Sequence, residues 1–138
     1  MIIKNILSFF IFLIIFTETT NAQVDFPAAV EGDYVINDFA FKSGEHLEQL
    51  KLHYTTVGTP TKNKKGHINN AVLIMHGTTG SGSAFLSKQF GGNLFGKGQL
   101  LDATKYYIIL TDDIGHGKSS KPSDGLRMKF PKYNYDDM

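Results

Sequence analysis

The chain has 138 residues, 14 basic against 13 acidic, and no cysteine. A net charge of +1 argues against a general nucleic-acid or membrane-surface partner, and the missing thiols exclude a disulfide framework. With 41% hydrophobic and 12% aromatic residues, the composition is that of a folded protein rather than a disordered one.

The N-terminus reads as a targeting segment. Lys4 supplies positive charge, Ile6 to Phe16 is an apolar run, and Thr20-Asn21-Ala22 places small residues where a signal peptidase reads. The run is about half the ~20 residues needed to span a bilayer. The sequence therefore predicts a signal peptide over residues 1–22, a mature domain over 23–138, and export to a periplasm or the medium without a stable membrane anchor.

Asp33 to Thr59 has the pattern of a β-hairpin. Tyr34 to Phe41 carries apolar residues at mostly alternating positions, Lys42-Ser-Gly-Glu-His46 supplies turn chemistry, and Leu47 to Val57 alternates again. Thr61 to Asn70 is a polar loop whose lysines, 62, 64 and 65, read as a solvated face rather than an anion site. Ala71 to Met75 is a continuous apolar run, expected of a strand buried on both faces. Phe85, Leu86 and Phe90 stand at helical spacing, so Ser83 to Phe90 is predicted as a short helix, with Gly91 to Gly98 a glycine-rich loop. A second buried strand follows over Tyr106 to Leu110. Two such strands joined by a crossover containing a helix predict a parallel pair. From Asp112 onward loop chemistry dominates.

Two motifs carry chemistry, each directly after a predicted strand. The first is His76-Gly77-Thr78-Thr79-Gly80. A tight glycine turn there lets backbone N–H groups face a pocket, and in acyl transfer such donors stabilise the oxyanion of a tetrahedral intermediate. Thr78 is the candidate oxyanion donor, with His76, Gly77 and Thr79 as its supporting turn. The second is Asp113-Ile-Gly-His-Gly-Lys-Ser119. Gly115 and Gly117 predict a sharp reversal over the carboxyl end of the sheet, carrying Asp113 and His116. Asp112 and Asp113 are expected to fix this loop through hydrogen bonds to backbone N–H groups.

Other readings of these residues fail on spacing. A phosphate loop ending in Gly117-Lys118-Ser119 needs glycine at 112, where the chain has Asp112. Gly77, Gly80 and Gly82 run in the reverse order for a dinucleotide fingerprint. No second histidine stands at ligand spacing from His116, so no metal site is predicted. No serine occupies the nucleophile position of G-x-S-x-G, and no histidine follows such a serine with an acid in chain order. The catalytic set read from these residues is accordingly empty.

With these segments in hand, the chain from His53 onward resembles the N-terminal part of the homoserine O-acetyltransferase-like branch of the α/β-hydrolase superfamily. The resemblance is carried by His53-Tyr-Thr-Thr-Val-Gly58, Leu73-Ile-Met-His-Gly77, Asn93-Leu-Phe-Gly96, Gln99-Leu-Leu-Asp-Ala103, Tyr106 to Asp112, Ile114 to Gly125 and Phe130-Pro-Lys-Tyr133. It extends to Tyr135 with Asp137-Met138, which in that family lead into the helix before the nucleophile strand.

The resemblance implies an α/β fold in which a β-hairpin is followed by parallel strands with a crossover helix, here as an incomplete sheet. It also implies a Ser-His-Asp triad and an acyl-enzyme intermediate without a cofactor. Of that machinery only the oxyanion turn maps onto this sequence, at His76, Gly77 and Thr78, and the nucleophile is expected beyond Met138. The expected substrate is a small acyl or ester compound; oligomeric state is not legible. Because export separates the protein from cytoplasmic acetyl-CoA, ester hydrolysis is favoured over acetyl transfer, and the chain alone is expected to be inactive. The competing expectations are an acetyltransferase-like fragment and a non-catalytic remnant of an interrupted gene.

Overall fold

The computed structural model describes residues 25–138. The signal peptide assigned to residues 1–22 lies outside them. Four strands form one mixed sheet: β1 (Val30–Ala40), β2 (His46–Val57), β3 (Ala71–Met75) and β4 (Tyr107–Thr111), in the spatial order β1-β2-β4-β3. β1 and β2 make the antiparallel hairpin predicted from alternation, with Tyr34 opposite Leu52. β3 and β4 are parallel, with Met75 beside Thr111, as the long crossover between them implies. The pairing of β2 with β4, which sets Val57 opposite Ile108, joins the hairpin to the parallel pair.

The pleat sorts side chains onto two faces. Val57, Ile108 and Leu110 point one way and are fully buried under Phe95 and Ala103, with Phe85, Leu86 and Phe90 packed around them. Phe90 and Phe26 meet Phe95 edge-on, at ring separations of 6.0 and 5.5 Å. A second cluster, Phe41, Leu50, Ile114 and Phe130, ties the hairpin to the C-terminal loops.

Two expectations change. β3 is not buried on both faces: Leu73 is 58% and Met75 55% exposed, while Val72 and Ile74 are half-buried. As the last strand in the sheet order it has one neighbour, and no described element covers the Leu73 face. This face borders a hollow of about 290 Å³ shared with Ile36, Phe39 and Leu52. The crossover also differs. The predicted helix over Ser83 to Phe90 is instead a 3-10 turn over Gly82–Leu86, and the α-helical turn (α1) lies at Gly91–Leu94, within the predicted loop. Ser87 turns extended (ψ 153°), which interrupts the segment and leaves no room for an α-helix from 83 to 90. Phe85, Leu86 and Phe90 face the core because the chain folds over the sheet, not because of helical periodicity.

Candidate functional site

The two motifs leave adjacent, parallel strands at the same end, so the register of Met75 with Thr111 brings their turns together. His76 and Asp113 meet first. The Asp113 backbone N–H donates to His76 Nε2 at 3.1 Å, and His76 Nδ1 lies 2.7 Å from the carbonyl oxygen of Gly77. A carbonyl can only accept, so Nδ1 carries the proton. The imidazole is neutral, with both nitrogens engaged and its side chain 2% exposed. It is therefore a tie between turns rather than a free base.

Asp112 is the second tie. Its carboxylate accepts from Gly82 N–H at 2.7 Å and from Lys118 N–H at 2.8 Å, so one buried side chain holds the ends of both turns. Its carbonyl accepts from the buried Ser119 hydroxyl, which in turn accepts from the His53 backbone N–H. The expectation that aspartates fix this loop is met by Asp112. Asp113 contributes its backbone, and its carboxylate lies 3.9 Å from His76 Nε2. Gly115 (φ +86°) and Gly117 (φ +50°) occupy the left-handed region at this reversal, and a Cβ at 117 would collide with the Asp112 carboxylate. That contact is the close approach the motif exists to permit.

The first turn is exposed at Gly77, Thr78 and Thr79. Gly80 N–H donates to Gly77 O at 2.9 Å, closing it, while the N–H groups of Thr78 and Thr79 donate to no described residue. His116 crosses from the second turn, its Nε2 lying 2.6 Å from the Thr78 carbonyl oxygen and its ring 5.2 Å from that of His76. All eight residues predicted for the site, His76, Gly77, Thr78, Thr79, Asp113, Gly115, His116 and Gly117, thus lie in two apposed turns. None of the described residues forms a group of three histidine or acidic side chains able to hold a metal ion.

A further cluster was not visible in the sequence. His53 Nδ1 lies 2.7 Å from Asp33 Oδ1 and its Nε2 3.8 Å from Glu31, which also pairs with Lys118. The Lys118 ammonium holds the Glu31 carboxyl below its usual range, and the His53 hydrogen bond does the same for Asp33. Asp33, His53 and Ser119 are neighbours, yet they do not form a triad. The Ser119 hydroxyl meets the backbone of residue 53, not its ring, and Ser119 is fully buried. The cluster fastens the second turn to the hairpin. The signal that could have found it is the pairing of Asp33 with His53, which follows from hairpin register alone.

No family model matches the chain. It is 32% identical over 106 residues to a protein named probable acyltransferase from Methanothermobacter thermautotrophicus, covering 76% of this chain and 32% of that one. It is 34% identical over 109 residues to the homoserine O-acetyltransferase of Haloferax prahovense, covering 70% and 25% respectively. In structure it resembles an acetylester hydrolase from Corynebacterium glutamicum, with TM-score 0.63 and 26% identity over 78% of this chain and 30% of the other. The chain thus spans about a third or less of the length of these curated relatives. A mixed sheet with two glycine turns at the ends of parallel strands, joined to these likenesses, places the chain in the α/β-hydrolase superfamily. Within it, the chain belongs to the branch that includes the homoserine O-acetyltransferases.

Proposed function

We propose that this chain supplies the oxyanion side of a serine-dependent, exported α/β-hydrolase that cleaves a small ester or related acyl substrate through an acyl-enzyme. The observation that supports this reading is the exposed Gly77-Thr78-Thr79 turn at the carboxyl end of β3, where the N–H groups of Thr78 and Thr79 donate to no described residue and so are available as oxyanion donors. A serine attacks the acyl carbonyl, a histidine takes and returns its proton, and the Thr78 N–H stabilises the developing negative charge. Among the described residues no serine hydroxyl is within hydrogen-bond distance of a histidine ring, which supports the reading that these 138 residues alone do not turn over. Purified protein should therefore show no saturable hydrolysis of p-nitrophenyl acetate.

A hybrid tests the rest. Residues 25–138 replace the matching segment of the Corynebacterium acetylester hydrolase, and hydrolysis of p-nitrophenyl acetate is measured. We expect an active hybrid whose kcat falls by roughly 10²–10³-fold on Thr78→Pro, which removes the N–H; that loss corresponds to about 2.7–4 kcal/mol. An active hybrid indifferent to Thr78→Pro would overturn the oxyanion assignment. Export is tested by N-terminal sequencing of the protein from fractionated cells, where a start at Gln23 is expected and cytoplasmic protein starting at Met1 contradicts it. Acyl transfer is the second reading, favoured by the names of the sequence relatives. Acetyl-CoA consumed by the hybrid only when homoserine is present would select it over hydrolysis.

A further inference from the structure

Peptide planarity turns two hydrogen bonds into a statement about the oxyanion turn. In a trans peptide the C=O and the N–H of one unit point in opposite directions, so fixing the carbonyl fixes the amide. The Gly77 carbonyl is held by His76 Nδ1–H and by Gly80 N–H, which sets the direction of the Thr78 N–H. The next carbonyl, of Thr78, is held by His116 Nε2 at 2.6 Å, which sets the direction of the Thr79 N–H. His116 belongs to the other turn, 38 residues away, so the second peptide plane is governed by β4 rather than by the turn that contains it.

We propose that His116 is the positioning residue of this site: its Nε2–H fixes the Thr78–Thr79 peptide so that the Thr79 N–H becomes a second donor to an anionic acyl centre. The inference rests on the oxyanion reading of Thr78 given above and extends it by one donor and one side chain. Both ring nitrogens of His116 face carbonyl oxygens, Thr78 at 2.6 Å and Ile114 at 3.2 Å. A carbonyl oxygen only accepts, so the shorter contact places a proton on Nε2. His116 thus donates from Nε2 while His76 donates from Nδ1, in rings 5.2 Å apart. Packing alone does not require that pattern. Two carbonyls to be steered from two turns do.

The test uses the isotope-labelled 138-residue chain and methylphosphonate as a tetrahedral anion. Ring ¹⁵N shifts should report a proton on Nε2 of His116; an unprotonated Nε2 overturns the proposal without any variant. Methylphosphonate should shift the Thr78 and Thr79 amides together. His116→Phe keeps a ring but loses the donor, and should move the free Thr79 amide resonance and weaken phosphonate binding roughly fivefold, the size expected of one hydrogen bond. His116→Gln restores an N–H near the same place and should recover most of that loss, which also covers the case in which the Phe variant fails to fold. An unmoved Thr79 amide with unchanged affinity in both variants overturns the proposal. Phosphonate that shifts neither amide, while His116→Phe still moves Thr79, upholds the hydrogen-bonded clamp and overturns the oxyanion reading instead.

Discussion

The N–H of Asp113 and the Nε2 of His76 meet at 3.1 Å across the gap between two parallel strands, although 37 residues separate them in the chain. That bond makes a side chain of one turn the acceptor for the backbone of the other. With the Asp112 carboxylate bridging Gly82 and Lys118, it converts two loops into one rigid mouth at the end of the sheet. A site that stabilises a transient charge needs this kind of preorganisation, since donors that must first reorient lose much of their effect.

Removing the Asp112 carboxylate should be costly. It accepts two backbone hydrogen bonds in a buried place, so Asp112→Ala leaves the N–H groups of Gly82 and Lys118 without a partner. We expect a loss of about 2–4 kcal/mol, read from the midpoint of urea unfolding, given that hydrogen bonds to charged groups are worth ~1.5–3 kcal/mol. A change under about 0.5 kcal/mol would show that the bridge is not what holds the turns.

Gly117→Ala should act through the same carboxylate. The residue has φ +50°, and its new methyl group would strike Asp112. A destabilisation of about 1–3 kcal/mol is expected from backbone strain and displacement of that side chain. Because the two residues touch, Gly117→Ala combined with Asp112→Ala should cost less than the sum, and a double-mutant cycle measures the difference.

Asp102 predicts acid sensitivity. The Gly98 N–H, followed by the Thr104 hydroxyl, lowers its carboxyl from the usual 3.8 to about 2. A carboxyl whose folded value lies below its unfolded one contributes stability that is complete above the unfolded value and is lost as pH falls toward the folded one. Stability should therefore decline between pH 4 and 2, and Asp102→Asn should flatten that decline. An unaltered slope in the variant, measured by urea unfolding across this window, would contradict the assignment.

The Leu73 face should be adhesive. Leu73 and Met75 are more than half exposed on the outermost strand, next to an apolar hollow. Exposed apolar edges of this kind favour association between chains. Leu73→Lys with Met75→Lys should shift the purified protein toward monomer in sedimentation velocity and reduce binding of an apolar dye. Equal self-association in the variant would place the adhesive surface elsewhere.

Much of the fold was legible because its signals are local. Alternation from Tyr34 to Val57 marks a hairpin, and the runs at Ala71–Met75 and Tyr106–Leu110 mark strands whose linker demands a parallel pair. The crossover differs from its sequence pattern for an equally physical reason. Phe85, Leu86 and Phe90 have helical spacing, but the chain turns extended at Ser87, so the segment ends as a 3-10 stretch and α1 begins at Gly91. β3 is less buried than its apolar run implies because such a run reports the strand's chemistry and not what packs over each face.

The order of residues by itself determined the strands and the two glycine corners, because these depend on φ/ψ preference and on a periodicity of two. Tertiary structure alone decided that His76 is a neutral tie, that His116 holds the Thr78 carbonyl, and that His53 joins Asp33 and not the Ser119 hydroxyl. Those assignments come from the register of Met75 on Thr111 and of Asp33 on His53. Register is a relation between distant segments: a shift of one residue would send His53 and Asp33 to opposite faces of the hairpin and would part the turns that follow β3 and β4.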